Sequence, residues 1–351
     1  MRVGIVTIID NNNYGNRLQN YALYKNVEKY NVEVVNLENC VRTNERERYI
    51  IGLIKNMIKP LVTYSPNKYR HNHFEDFNNK IKNKKFIHAY SRNIRCDCMI
   101  VGSDQVWNPE NRLSDVDLLN FHEIKNKLSY SASFGVSEIN IKNKCKIKRL
   151  LDEFRYISVR EEAGKKLLED NFAINNVEVL IDPTMLLTTE EWDTVSNKPE
   201  MLKTKKYILN YFLGELSKER RKEIDRIANE NNCEVINILD KNDPFYVCGP
   251  SEFLYLEKHA FLICTDSFHS SVFAILYNKP FIVFDREQQN VGNMSSRLDT
   301  LIDKFKLKNR KFDGKITEEN LNHDYSEAYK ILEVERQKSK DFLERALDIK
   351  K

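Results

Sequence analysis

The sequence predicts an α/β protein with two parallel-sheet domains. Two observations point there. Short apolar runs alternate with longer segments of helical spacing, the pattern of parallel α/β units. These runs also fall into two sets, separated by a polar, proline-containing stretch from about 182 to 205. A length of 351 residues suits two cores of ordinary size.

In chain order, residues 2–9 read as a first buried strand and 32–37 as a second, with Leu18, Tyr21 and Ala22 at helical spacing between them. Runs at 98–101, 128–132, 156–159 and 177–181 continue the first set. The second set comprises 206–212, 234–239, 261–264 and 281–284. The junction is placed near 190–204, giving domains at 1–195 and 204–322 and a terminal helix within 323–351. Ala328, Ile331, Leu332, Phe342, Leu343 and Ala346 share one face of that helix. Residues 41–90 depart from the rhythm. They are basic, carry apolar clusters at Ile50, Ile51, Leu53, Ile54, Met57 and Ile58, and are broken by Pro60 and Pro66, with Phe74 and Phe77 marking a short helix. This reads as a helical insertion on the first domain; a basic amphipathic surface for anionic lipid is the alternative.

Composition narrows the classes. Hydrophobic residues make up 41% and charged residues 31%, with a net charge of +4. That excludes a disordered chain and gives no argument for nucleic acid. No apolar stretch reaches spanning length and the first residues lack a secretory h-region, so a cytoplasmic protein is expected. The seven cysteines, at 40, 96, 98, 145, 233, 248 and 264, follow no disulfide framework. Neither Cys96/Cys98 nor His71/His73 has partners completing a metal site, and none is expected.

Four segments carry candidate chemistry. Asn13, Tyr14, Gly15, Asn16 and Arg17 follow the first strand and open the first helix, where free N–H groups and the helix dipole suit an anion. One glycine there, in place of three, disfavours a dinucleotide. Asp104, Gln105 and Trp107 follow another strand; they suit sugar hydroxyls and stacking, or else a capped turn over a core indole. Arg160 stands at a strand end before a helix, placed to grip a phosphate or carboxylate. Ser267, His269, Ser270 and Ser271 lie at a strand-to-helix junction of the second domain, where a histidine can exchange a proton and the serines can cradle phosphate.

Taken in order, TIIDNNNYGNRLQNYAL, MIVGSDQVWNP, SYSASFG, SVREEAG, LIDPTMLL and TDSFHSSVFAILYNKPF resemble the polysaccharide pyruvyl transferase family over roughly residues 3–300. The resemblance implies transfer of a pyruvyl group from phosphoenolpyruvate, a co-substrate with no further cofactor, onto hydroxyls of a glycan or lipid-linked saccharide, forming a ketal. A lipid-linked acceptor would add peripheral contact with the inner membrane face. His269 is then the expected general acid and Asp104 the group that orients or deprotonates the acceptor. Arg160, Ser267, Ser270 and Ser271 hold the donor, and residues 13–17, Gln105 and Trp107 form the cleft. Some relatives carry arginine two residues before the histidine, where this chain has Ser267; Arg297 or Arg17 is expected to compensate. Ser270 stands where many relatives have glycine. By analogy with GT-B transferases, the two domains are Rossmann-like, face a central cleft, and receive the last helix back on the first domain. A nucleotide-sugar glycosyltransferase and a non-catalytic glycan-assembly protein are the competing readings.

Overall fold

The computed structural model describes residues 1–39, 65–82, 84–87, 94–109, 113–121, 124–136, 138–139, 144–286 and 295–349. The apolar clusters at Ile50 to Ile58 lie outside them. The first sheet contains β1 (Arg2–Thr7), β2 (Glu33–Asn39), β3 (Lys84–Ile87), β4 (Cys98–Gly102), β5 (Lys127–Ala132), β6 (Phe154–Val159) and β7 (Val177–Val179). The second contains β8 (Tyr207–Tyr211), β9 (Glu234–Asn237), β10 (Leu262–Thr265) and β11 (Phe281–Val283). Every strand pairing is parallel. Parallel strands between covering helices must be apolar on both faces, and β4, β5, β8 and β10 are buried at every position.

Strand order fixes where a ligand can bind. The sheets run β3-β2-β1-β4-β5-β6-β7 and β11-β10-β8-β9. Each order reverses once, between β1 and β4 and between β8 and β10, and a crevice opens beyond the strand carboxyl ends at such a point. Both crevices contribute to a single cavity, described below.

The helices in chain order are α1 (Tyr14–Glu28), α2 (Pro66–Asn78), α3 (Lys144–Leu151), α4 (Glu162–Phe172), α5 (Thr189–Asp193), α6 (Lys218–Glu230), α7 (Pro250–His259), α8 (Phe268–Leu276), α9 (Ser295–Lys304), α10 (Glu318–Leu321) and α11 (Ser326–Ala346). Helix α11 starts on the second domain, where the hydroxyls of Tyr325 and Tyr329 donate to the carbonyls of Lys279 and Ile275. It ends on the first. There Phe342 packs edge-on against Tyr130 and Tyr156, Lys338 Nζ donates to the Val179 carbonyl, and Arg345 pairs with Glu178. Two Rossmann-like units across a cleft, with the last helix crossing back, form the GT-B-like arrangement expected from the sequence.

The segments at 41–90 and 182–205 differ from expectation. Residues 84–87 form β3, paired with β2 at the sheet edge, so the insertion is not helical throughout. Helix α2 reaches beyond the first domain: Arg70 donates to the carbonyls of Tyr246 and Cys248, and His73 Nδ1 lies 3.1 Å from Glu252 Oε1. The polar stretch after β7 is not a loose linker. Asp182 caps a 3₁₀ turn at Pro183–Leu186, and Met185, Leu187 and Trp192 are buried between the domains. The apolar members of this stretch are spaced too irregularly for a helix or strand pattern to reveal them.

Tyr14 joins the two halves. Its ring stacks on Phe253 of α7 at 4.5 Å and on Phe74 of α2 at 5.2 Å, and its hydroxyl donates to the Cys248 carbonyl. Truncating Phe253 leaves a cavity at the centre of this stack. Phe253→Ala is expected to lose about 3–5 kcal/mol, read as a lower urea midpoint by fluorescence of the buried tryptophans.

Candidate functional site

A cavity of about 140 Å³ lies where the carboxyl ends of the two sheets meet, lined in part by Asn13, Asn16, Asp104, Asp266, His269 and Arg297. The loop after β1 supplies Ile8, Asp10 and Asn13. Asn13 caps α1 by accepting the Asn16 N–H, and the Asn16 amide donates to Asp104 Oδ2 at 3.2 Å. Asp104 follows β4 with φ +62°, a left-handed conformation that costs a non-glycine residue energy and aims its carboxylate into the cleft. Gln105 lines the same wall.

From the second domain, the β10 end contributes Asp266, Ser267 and His269. Asp266 accepts the N–H groups of Leu213 and Gly214, both at 2.7 Å, and Arg286 Nε at 3.0 Å. One carboxylate thus ties together the ends of β8, β10 and β11. Arg286 and, from α9, Arg297 complete the wall. Sequence reading passed over Arg286; its place three residues past a buried strand, at the same level as Asp266, was the available signal.

Beneath the cavity lies a buried network centred on Asp182, to which the sequence reading gave no role. Its Oδ1 accepts from the Thr184 N–H and hydroxyl, and its Oδ2 accepts from Ser103 Oγ at 2.6 Å and Arg160 Nη1 at 2.9 Å. His269 Nε2 approaches the same Oδ2 at 3.6 Å from the other domain. Burial alone would raise the Asp182 carboxyl; His269, Arg160 and the Ser103 hydroxyl more than reverse this and hold it far below the usual carboxylate range. Burial likewise opposes ionisation of Asp104, and the charges of Arg160, His269 and Arg297 lower it overall.

The two arginines differ. Arg160 remains firmly cationic: burial works against its charge, but Asp182, Glu161 and Asp104 outweigh it. Its guanidinium also sits 4.4 Å over the Phe268 ring. Arg297 is pushed down to about 10 by burial and by Arg160, against the pull of Asp104 and Glu161. Its Nη1 is 3.8 Å from Asp104 Oδ1, and its Nε has no hydrogen-bond partner among the described residues. It is a buried cation with too little opposing charge.

Several expected site residues lie elsewhere. Tyr14 belongs to the interdomain stack. Arg17 is buried within the first domain, donating to Asn78 and Asn20. Trp107 is core, its indole N–H donating to the Asp117 carbonyl beside Phe134 and Phe154. Ser270 donates to Glu257 at 2.6 Å and Ser271 to the Ser267 carbonyl, so neither hydroxyl faces the cavity. Arg160 lies below the cavity rather than on its wall, with 2% of its side chain exposed. Among the described residues, no group of three metal-ligating side chains is present, at His71 and His73 or elsewhere. No helix among them is long and apolar enough to cross a membrane.

Gly15 lets His269 come close to the start of α1. A Cβ there would lie 2.0 Å from His269 Nδ1, so the imidazole packs against bare backbone. Gly15→Ala is expected to displace the ring while the far-ultraviolet spectrum is kept, seen as a shifted His269 side-chain resonance. Glu257 gives a second expectation. Burial raises its carboxyl well above the ordinary value, only partly offset by Ser270. A raised acid contributes stability below its unfolded value that is lost as pH rises through the folded one. Glu257→Gln should therefore raise the melting temperature progressively above pH 5 and leave it nearly unchanged at pH 4.

Comparison with known proteins places the chain. No curated protein matches it. Among solved structures, UDP-GlcNAc 2-epimerase from Methanocaldococcus jannaschii is 16% identical, with a TM-score of 0.45 over 95% of this chain and 99% of that one. The Neisseria meningitidis UDP-GlcNAc 2-epimerase bound to UDP-GlcNAc is 15% identical, with a TM-score of 0.44 over 96% and 100%. MurG of Acinetobacter baumannii is 11% identical, with a TM-score of 0.38 over 99% and 95%. The model of the polysaccharide pyruvyl transferase family matches residues 13–288, spanning the β1–α1 turn, the Asp182 network and the His269 helix. The chain belongs to the polysaccharide pyruvyl transferase family.

Proposed function

We propose that this protein transfers the pyruvyl group of phosphoenolpyruvate to hydroxyls of a glycan or its lipid-linked precursor, forming a ketal, with the reaction in the His269–Asp104–Arg297 cavity. The observation that carries this reading is the electrostatic state of Arg297. A guanidinium on the cavity wall, held down by burial and by a like-charged neighbour, is relieved by an incoming anion. Phosphoenolpyruvate offers a phosphate and a carboxylate. Arg297 and Arg286 are cations on the cavity wall, while Arg160 beneath it is already engaged by Asp182 and Glu161.

The chemistry follows from the donor. His269 delivers a proton to the methylene carbon, C2 acquires oxocarbenium character, and an acceptor hydroxyl oxygen bonds there as its proton is released. The bond from C2 to the phosphate oxygen then breaks and phosphate departs with its electron pair. A second hydroxyl adds to C2, losing its proton and closing the ketal. Phosphate departure puts charge next to Arg297 and Arg286, where fixed cations stabilise it. Asp104 is held ionised by its neighbours and is a weak base; its role is to accept a hydrogen bond from the acceptor and orient it. Ser267 lines the cavity but brings no charge; Arg297 stands in for an arginine at that place.

His269→Ala is expected to abolish ketal formation and phosphate release while phosphoenolpyruvate still raises the melting temperature. A panel of nucleotide sugars should produce no such rise; stabilisation by a nucleotide sugar and not by phosphoenolpyruvate would overturn the donor assignment. Arg297→Gln separates the electrostatic argument from the chemistry. Without ligand it should be more stable than wild type by on the order of 2 kcal/mol, because a disfavoured buried charge is gone. It should also lose most of the stabilisation by phosphoenolpyruvate.

A further inference from the structure

The buried Asp182 has no part in that scheme, yet it touches both functional halves. It sits at the end of β7 in the first domain, and three features define its environment. Its Oδ1 is committed to the Pro183–Leu186 turn through Thr184. Its Oδ2 accepts from Ser103 and Arg160. The same Oδ2 is the nearest carboxylate oxygen to His269 Nε2, at 3.6 Å, a ring nitrogen without a hydrogen-bond partner among the described residues. The other face of the imidazole is closed by Gly15. A structural cap for a four-residue turn needs Oδ1 alone. Oδ2 instead points across the domain boundary at an unsatisfied histidine.

We propose that Asp182 is the positioning residue for His269. Its Oδ2 orients the imidazole and stabilises its protonated form, while Arg160 holds that carboxylate in place from beneath the cavity. The inference rests on the reading of His269 as general acid. The other charged groups around the imidazole are Asp104 from the β4 end and Arg297 from α9, Asp10 from the β1 loop, Asp266 and Arg286, which are paired with each other, and Arg160 beneath the cavity. Arg160 and Arg297 oppose an imidazolium; Asp104 is shared with both arginines at 3.8 Å. Asp182 is therefore the counter-charge available to the ring from below. Ser103 tunes it, since its 2.6 Å hydrogen bond draws on the same oxygen. The arrangement also makes proton donation depend on the two domains being together, because carboxylate and imidazole come from opposite sides of the cleft.

The test uses two variants of opposite sign. A general acid works only while protonated, so activity falls on the alkaline side as His269 deprotonates. Asp182→Asn removes the counter-charge, and the alkaline limb of kcat should move to lower pH by about one unit. Ser103→Ala frees Oδ2 and should move the limb the other way. Histidine side-chain NMR on the same proteins, with the His269 resonance identified by its loss in His269→Gln, should show parallel displacements of its titration. Should Asp182→Asn fail to fold, Ser103→Ala alone carries the test. Folded variants in which the His269 titration and the alkaline limb stay at their wild-type positions would overturn the proposal and reduce Asp182 to a turn cap. The two readings fail separately. A wild type with no turnover of phosphoenolpyruvate removes the pyruvyl assignment, while the NMR titration still decides whether Asp182 governs His269.

Discussion

The buried pair of Asp182 and Arg160 is the interaction on which the rest of this structure depends. Taking two charges out of water is expensive unless they meet at close range and their remaining donors and acceptors are used. Here the carboxylate also accepts from Ser103 and Thr184, so the ends of β4, β6 and β7 are bound to one another before any ligand is considered. The turn that Asp182 caps brings Met185 and Leu187 into the seam between the domains, and Arg336 of α11 donates to their carbonyls. Charge neutralisation and domain packing thus share one segment. That segment is the one whose composition looked most like a solvated linker.

The contrast between that segment and the rest shows what a single chain can reveal. The described strands other than β3, and both cleft-facing turns, were legible, because buried parallel strands are continuous apolar runs and their carboxyl ends are where open α/β sheets bind ligands; the order of strands in each sheet was not. Asn13, Asn16, Asp104, Gln105, Ser267 and His269 were singled out by that logic and line the cavity, as does Arg297, which was expected only as a substitute for an arginine at 267. Tyr14 and Arg17 were adjacent in sequence but not in direction. Successive residues of a helix turn by about 100°, so a helix start that shows Asn13 and Asn16 to the cleft turns Tyr14 to the facing domain and Arg17 inward. Trp107 was ambiguous because an indole serves a core and a sugar platform equally well, and rotamer choice is not written in sequence. Asp182 was invisible for a different reason. A polar residue buried by its partners looks like any other aspartate until Ser103, Arg160 and His269, far apart in the chain, are brought to it.

The electrostatics of the cleft are uneven by construction. Arg160 is over-supplied with carboxylates, whereas Arg297 shares Asp104 with it, each guanidinium 3.8 Å from Asp104 Oδ1. Stability alone would favour an apolar residue at 297. Under the proposed function the arginine is kept for binding, because an anion arriving there would return the energy withheld in the free protein. The same division appears on the second domain, where Asp266 spends both oxygens on backbone N–H groups and on Arg286 and so fixes a cationic wall in place.

Helix α11 has a mechanical consequence. The chain passes between the domains twice, once through the Pro183–Leu186 turn and once through the helix, and the two passages lie against each other through Arg336. Two adjacent covalent crossings act as a door hinge with two pins. They resist sliding and twisting of one half on the other. Asp182 caps the first of these crossings and lies 3.6 Å from His269, so the imidazole sits beside the pins and not at a free edge. Whatever binds beside His269 is therefore held where the two halves are most firmly joined.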